Sequence, residues 1–434
     1  LIGSLAGDAL NTGTDNVVLG FGSLGSDTKG NKSTAIGRGT LVGQNFTTST
    51  DSYNTALGYF AGNAVTTGTQ NTLIGGQAGD ALTTGENNVA VGLNALGTED
   101  AHGYCVAVGH SALAVQNAGA NAYNVAVGAS AGAAITTGVR NNLIGAYCGD
   151  ALTEGSYNAA MGLNALTTDT KGNYNTGLGD YSLATQNFTT STDSYNTAVG
   201  HNSGASITTG IRNTLLGGRT GDALIDTDYN VAMGTDALTA DTYGSRSVAI
   251  GTDALANQNF TTATNTYNTA VGHAAGSAVT TGVQNTLIGA LAGDAILTAS
   301  YNTVVGSGAL TSDDYGSKNT VIGTDACWSQ NLASATDTYN TAVGMQASVY
   351  NVTGVNNTTV GYRAGYGVST NSHSNNTFIG YTAGTAITTG GSNTFVGALA
   401  GDATDDGASN TAVGYGALSA NCGGSNVAVG VHAL

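Results

Sequence analysis

Six aspartates stand in one recurring Gly-Asp-Ala slot: Asp8, Asp80, Asp150, Asp222, Asp294 and Asp402, most of them 72 residues apart. Carboxylates at a fixed repeat position invite a calcium reading, since Ca²⁺ gathers six to eight oxygens within about 2.6 Å. The dense Gly-Gly-x-Gly-x-Asp spacing of calcium-binding β-rolls is missing, however. Calcium is thus a cofactor without a supporting repeat, and no metal ligand is assigned. His110, His201 and His273 each follow a glycine directly. The last two lie four repeats apart, too far to share an ion, so they read as surface or interface histidines. Glycosidase-type chemistry needs one special place where Asp, His and Arg gather. No repeat departs from its pattern in that way, so no catalytic residue is assigned and no enzyme is expected.

Recognition chemistry is the stronger theme. Near-copies of one long segment run from Gln44 to Asn54, Gln186 to Asn196 and Gln258 to Asn268, and a drifted copy starts at Gln330. Each carries one large apolar residue, Phe46, Phe188, Phe260 or Leu332. Such a residue either pins its own loop to the body of the protein or serves as an adhesive contact, which makes these four the candidate contact residues. Thr-Thr-Gly recurs at Thr66-Thr67, Thr83-Thr84, Thr136-Thr137, Thr208-Thr209, Thr280-Thr281 and Thr388-Thr389. Adjacent threonines on a strand face opposite ways, so a ladder of turns is expected in place of an ice-binding surface.

The element that must position all of these is a short repeat. An apolar run closed by glycine occurs 25 times, and 21 of its 24 complete copies open with asparagine, as in Asn54-Thr-Ala-Leu-Gly58. The spacing is mostly 17 residues, with 21 at the coils closing at Gly58, Gly200, Gly272 and Gly344. A period this short leaves room for one coil of a β-solenoid and too little for a helix pair or a propeller blade. The expected fold is all-β, a parallel β-solenoid of about 25 coils spanning residues 1–434 as one continuous domain. The chain has 67 Gly and no Pro, which fits strands hydrogen-bonded along both edges, because proline lacks the donor. The long loops then recur every fourth coil, about 19 Å apart on one outer edge.

Within a coil, the residue before the glycine is always Val, Ile, Leu or Met, and the one before that is mainly Ala or Leu. These columns point to opposite faces of a strand, yet both are mostly apolar. One fills the coil; the other wants a partner, and a second copy of the chain is the simplest one. A small residue three positions after the glycine suits a narrow interior, and the glycine itself permits a close backbone approach. The opening asparagines are expected to stack as an amide ladder.

Net charge is −17, with ten Lys and Arg against 27 Asp and Glu, which excludes the cationic groove that nucleic acids require. No run of 18 apolar residues exists, so no direct membrane span is expected. Cys105, Cys148, Cys327 and Cys422 are scattered and should be free thiols. The chain starts and stops inside a repeat, so it is expected to be an internal segment of a longer fibre protein.

At the motif Asn-[Thr/Val]-Ala-[Val/Ile]-Gly-x-x-Ala the chain resembles, over nearly its whole length, the head repeat of the YadA-type trimeric autotransporter adhesins. Similar repeats occur in phage tail fibres and in surface fibres of marine bacteria. The resemblance implies a left-handed β-roll, a homo-oligomer of three chains, an extracellular place on a cell surface or virion, and a target cell surface or glycan as partner. Its coils here are longer than the family's usual repeat. The expected function is a rigid rod in an extracellular adhesive fibre; the alternative is a phage tail fibre or tail-spike-like protein that binds or depolymerises carbohydrate.

Overall fold

The computed structural model describes residues 1–368 and 371–434. The backbone is all-β, with no helix among the described residues. It divides into two compact units, Leu1–Asn213 and Thr214–Leu434. Each is a parallel β-solenoid whose repeating element is a three-residue strand ending just before the closing glycine, such as Thr55–Leu57 or Val89–Val91. Eleven such strands fall in the first unit and thirteen in the second, and the first apolar run contributes a bridge from Ile2 to Leu19. Neighbouring coils pair in register, with Val89, Ala90 and Val91 opposite Val106, Ala107 and Val108. The expected parallel solenoid with a 17-residue period is therefore the fold.

The two-column question resolves cleanly. The middle residue of each strand points inward, so Ala56, Leu73, Leu143 and Leu215 are fully buried. The residue before the glycine points outward, leaving Leu57 at 43% and Met161 at 49% exposure. The closing glycine sits at positive φ, +134° for Gly179, and a Cβ there would lie 2.5 Å from the carbonyl oxygen of Gly200 one coil on. Only glycine allows that approach.

Beside the buried small residue three after the glycine, three inward columns of variable size share the space inside each coil: two before the glycine, four after it, and seven after it. In successive coils they read Ala56, Gly62, Val65; then Leu73, Gly79, Leu82; then Ala90, Leu96, Glu99; then Ala107, Leu113, Gln116. Volume is conserved by exchange between columns. A Cβ on Gly62 would meet Leu73 Cδ1 at 2.6 Å, and one on Gly79 would meet Leu73 Cδ2 at 2.7 Å. Where a leucine takes the fourth position, the seventh switches from an aliphatic to an acid or amide. Near the C-terminus Phe378 and Phe395, stacked 5.0 Å apart, fill the room over Gly365, Gly384 and Gly401. Close packing of this kind forces such compensation, since either a void or an overlap would cost stability.

The asparagine column is a ladder from side chain to backbone more than one of stacked amides. Asn54 Oδ1 accepts from the backbone N–H of Asn71, one coil on, at 3.0 Å, and Asn54 Nδ2 donates to the Gly68 carbonyl at 2.7 Å. Asn71 repeats the pattern with Asn88 and Gly85. Each amide thereby satisfies backbone groups that the turn before the strand would otherwise bury unpaired.

Candidate functional site

The long loops are the feature most able to act on a partner, and a buried polar clasp holds each one. Asp27 lies in the coil before the loop; its Oδ1 accepts from the backbone N–H groups of Gly30 at 3.0 Å and Phe46 at 3.2 Å. Its Oδ2 accepts from Gln44 Nε2 at 2.7 Å, and Gln44 Oε1 accepts from Asn54 Nδ2 at 2.9 Å. The same set recurs as Asp169–Gln186–Asn196, Asp241–Gln258–Asn268 and Asp313–Gln330–Asn340. At the 19-residue coil closing at Gly128, Glu99 and Gln116 take the same places, joined at 3.1 Å, with Asn124 completing the set. Burial pushes the carboxyls of Asp169, Asp241 and Asp313 above the usual range, and hydrogen bonds from Gln186, Gln258 and Gln330 partly offset it.

Beyond the clasp, each long loop returns to pair with the coil before it, as Thr50–Asp51 does with Gly30–Asn31. Lys32 Nζ reaches Asp51 at 2.6 Å, and Lys318 reaches Asp337 at the same distance. These pairs are exposed and act as weak, salt-screened ties.

The four expected contact residues are not at the surface. Phe46, Phe188, Phe260 and Leu332 are 5%, 6%, 7% and 6% exposed. The physical reason is the clasp: the backbone N–H of each donates to the buried aspartate, which draws the residue in and turns its side chain into the coil. They pin their loops. What the first loop presents outward is Asn45, Thr47, Thr48, Ser49 and Asp51, a hydroxyl-rich surface.

The other candidates are dispersed. In the Gly-Asp-Ala slot, Asp150 Oδ1 accepts from Thr167 Oγ1 at 2.5 Å and Asp222 Oδ1 from Thr239 Oγ1 at 2.5 Å, each bridging to the next coil. His110, His201 and His273 are exposed. Among the described residues the one group of three side chains near enough to share a metal is Glu99, Asp100 and His102, and the Glu99 carboxylate there already holds Gln116 and His102 Nδ1. All four cysteines are free, and burial pushes Cys148 and Cys327 up to about 12, where they are unreactive. The Thr-Thr-Gly turns do form a ladder: Thr66 Oγ1 donates to the Thr83 carbonyl at 3.0 Å, and Thr83 Oγ1 to that of Asp100 at 2.9 Å.

Two outward features complete the surface. The first and third residues of the three-residue strands carry no charge anywhere among the described residues, and from Thr269 to Val413 nine successive strands read Thr-x-Val or Thr-x-Ile. Five positions before the closing glycines lies a corner at positive φ, which carries Tyr, Arg, Lys or Gln in most coils and serine in the last three, at Ser392, Ser409 and Ser425. Tyr157, Tyr174 and Tyr195 stack there at 4.8 and 5.0 Å, and the Arg246 guanidinium sits 5.1 Å from the Tyr229 ring. Stacked tyrosines in this run cover part of one another's faces.

The sequence reading missed the clasp and the tyrosine column. The clasp was marked by an acid and a glutamine at the same place in consecutive coils, both at a position that is aliphatic in most of the others. The chain matches no protein-family model and no curated protein. No helix of the described residues is long and apolar enough to cross a membrane.

Proposed function

We propose that this chain is a structural segment of an extracellular adhesive fibre: a stiff solenoid that assembles with copies of itself and displays repeated hydroxyl-rich loops to a target surface. The observation that carries the reading is the clasp. In every 21-residue coil the long loop is fastened by the same buried acid, glutamine and asparagine, so a surface excursion is held in one shape and repeated within each of the two solenoid units. Repeated, individually weak contacts gain strength through multivalency.

Self-association is assigned to the strand face described above. An uncharged sheet of β-branched side chains, in a chain of net charge −17, suits packing against the same face of a parallel copy. Three chains is the number the resemblance to trimeric adhesins implies. Sedimentation of the purified chain, followed by attachment to bacterial or eukaryotic cells, tests both parts. A stable monomer that attaches to nothing would defeat the reading.

A further inference from the structure

In a repeat protein, the place where the repeat breaks is where a single specialised site can be built. The fifth and sixth residues after the closing glycine are short and ring-free in nearly every coil: Asp80 and Ala81, Ala114 and Val115, Asp222 and Ala223. The three consecutive coils opened by Gly323, Gly344 and Gly361 break this rule, placing Trp328, Tyr350 and Tyr366 at those positions. Trp328 is the only tryptophan in the chain.

The three rings line one groove of about 220 Å³ in the second unit, together with Asp325, Gln346 and Val349. Val349 is buried and forms the floor, while Tyr350 and Tyr366 meet edge to face at 5.1 Å. Arg363 Nε donates to Gln346 Oε1 at 2.8 Å, and its guanidinium lies 4.9 Å from the Tyr366 ring. That bond occupies the Gln346 carbonyl and fixes the plane of its amide, which leaves the NH₂ group as a donor beside the groove. The Asp325 carboxylate has no ion-pair partner among the described residues and supplies acceptors. Trp328 is 46% exposed, and no other aromatic ring stacks on it among the described residues, in contrast to the self-covered tyrosine column. About half of the indole thus stays open to solvent where it lines the groove, and that exposed surface can meet a ligand.

We propose that this groove binds one neutral hexopyranose residue of a surface glycan. This rests on the adhesive reading above and names the chemistry of one of its contacts. A free indole face accepts the apolar C–H face of a pyranose, while Asp325 and the Gln346 amide pair with adjacent hydroxyls. The volume falls below the roughly 300–1,000 Å³ of pockets that enclose drug-sized ligands, which suits a single ring of a longer chain. Acidic sugars are disfavoured by Asp325 and by the net charge of −17.

Because Trp328 is the sole tryptophan, its emission reports on this groove alone. The parent chain is titrated with methyl galactoside, methyl glucoside, methyl mannoside and N-acetylglucosamine, and with glucuronate and sialic acid as acidic counterparts. At least one neutral sugar is expected to give a saturable change, and the acids none. Saturation-transfer NMR then follows the variants: Trp328→Ala is expected to abolish the signal and Asp325→Ala to weaken binding by roughly tenfold or more. Gln346→Ala carries the test should Trp328→Ala fail to fold. The proposal is overturned if no neutral sugar gives a saturable signal with the parent chain, or if folded Asp325→Ala and Gln346→Ala bind as the parent does. A chain that binds hexose yet attaches to no cell refutes the fibre reading and leaves the groove standing. One that attaches but binds no hexose does the reverse.

Discussion

Asp241 and Gln258, one coil apart in the second unit, are joined by a 2.6 Å hydrogen bond in a fully buried setting, and between them they anchor the start of a long loop. Asp241 Oδ1 also receives the backbone N–H groups of Gly244 and Phe260, while Gln258 passes its carbonyl to Asn268. A buried carboxylate is costly unless its oxygens are all engaged. Here Oδ2 takes the glutamine and Oδ1 takes two amides, so the charge is matched by three donors.

The first prediction follows from that count. Asp241→Ala leaves two backbone N–H groups and one of the two Nε2–H groups of Gln258 buried without an acceptor, the other staying bonded to Ser247 Oγ at 2.9 Å, at about 1–3 kcal/mol for each one that water does not rescue. Hydrogen exchange at Gly244 and Phe260 should rise sharply while exchange in the coils beyond Asn268 changes little. Unchanged protection at both amides would show that the clasp does not hold the loop.

The second prediction concerns pH, where two kinds of buried group oppose each other. The folded forms of Asp169, Asp241 and Asp313 hold a proton more tightly than the unfolded chain, because burial raises their pKa. Their contribution is therefore fully present below the ordinary carboxylate range and is lost as pH rises through the raised values. His373 behaves oppositely: burial lowers it from 6.5 to about 4. Its contribution is present above 6.5 and is lost as pH falls toward about 4, since the unfolded imidazole takes up a proton that the folded one refuses. Thermal melts between neutral pH and about 4 should show His373→Gln losing less stability on acidification than the parent, by a difference on the order of 3 kcal/mol. Parallel curves would refute this.

Much of the fold was legible because the repeat imposes its own register. The glycine spacing alone gives the coil, and the strand before each glycine follows from three apolar or β-branched residues in a row. The corners were not legible. Tyr174, Leu183 and Arg246 all sit at positive φ, a region such residues avoid, because each corner stacks on the same corner of the next coil and inherits its backbone shape. No local propensity reveals that. The clasp stayed hidden for a different reason: Asp27 and Gln44 are 17 residues apart and become neighbours only once the coil is closed. The choice between pinning and contact at Phe46 was hidden for the same reason, since its backbone N–H is held by Asp27 one coil away.

The third prediction uses two adjacent residues on opposite faces. Leu143 is fully buried, and Leu143→Asp should prevent the first unit from folding, because its carboxylate would be enclosed among aliphatics without a partner. Ile144 is 37% exposed on the strand face assigned to self-association. Ile144→Asp should leave the circular dichroism unchanged and shift sedimentation toward the monomer. If Ile144→Asp sediments as the parent does, the association surface lies elsewhere.

The last prediction separates the loops from their support. In the first loop the clasp buries Gln44 and Phe46, whereas Thr47, Thr48, Ser49 and Asp51 face outward. Replacing Thr47, Thr48 and Ser49 with alanine keeps the clasp and removes three hydroxyls from one loop. If attachment is multivalent, that single change should lower binding only slightly, because the remaining loops retain their contacts. Making equivalent changes in the loops that begin at Gln186, Gln258 and Gln330 as well should lower attachment by more than the product of the separate effects, with melting temperature held within a few degrees of the parent. A fourfold variant that folds normally and attaches as well as the parent would reduce the loops to spacers, and adhesion would then have to reside in the Trp328 groove or outside this chain.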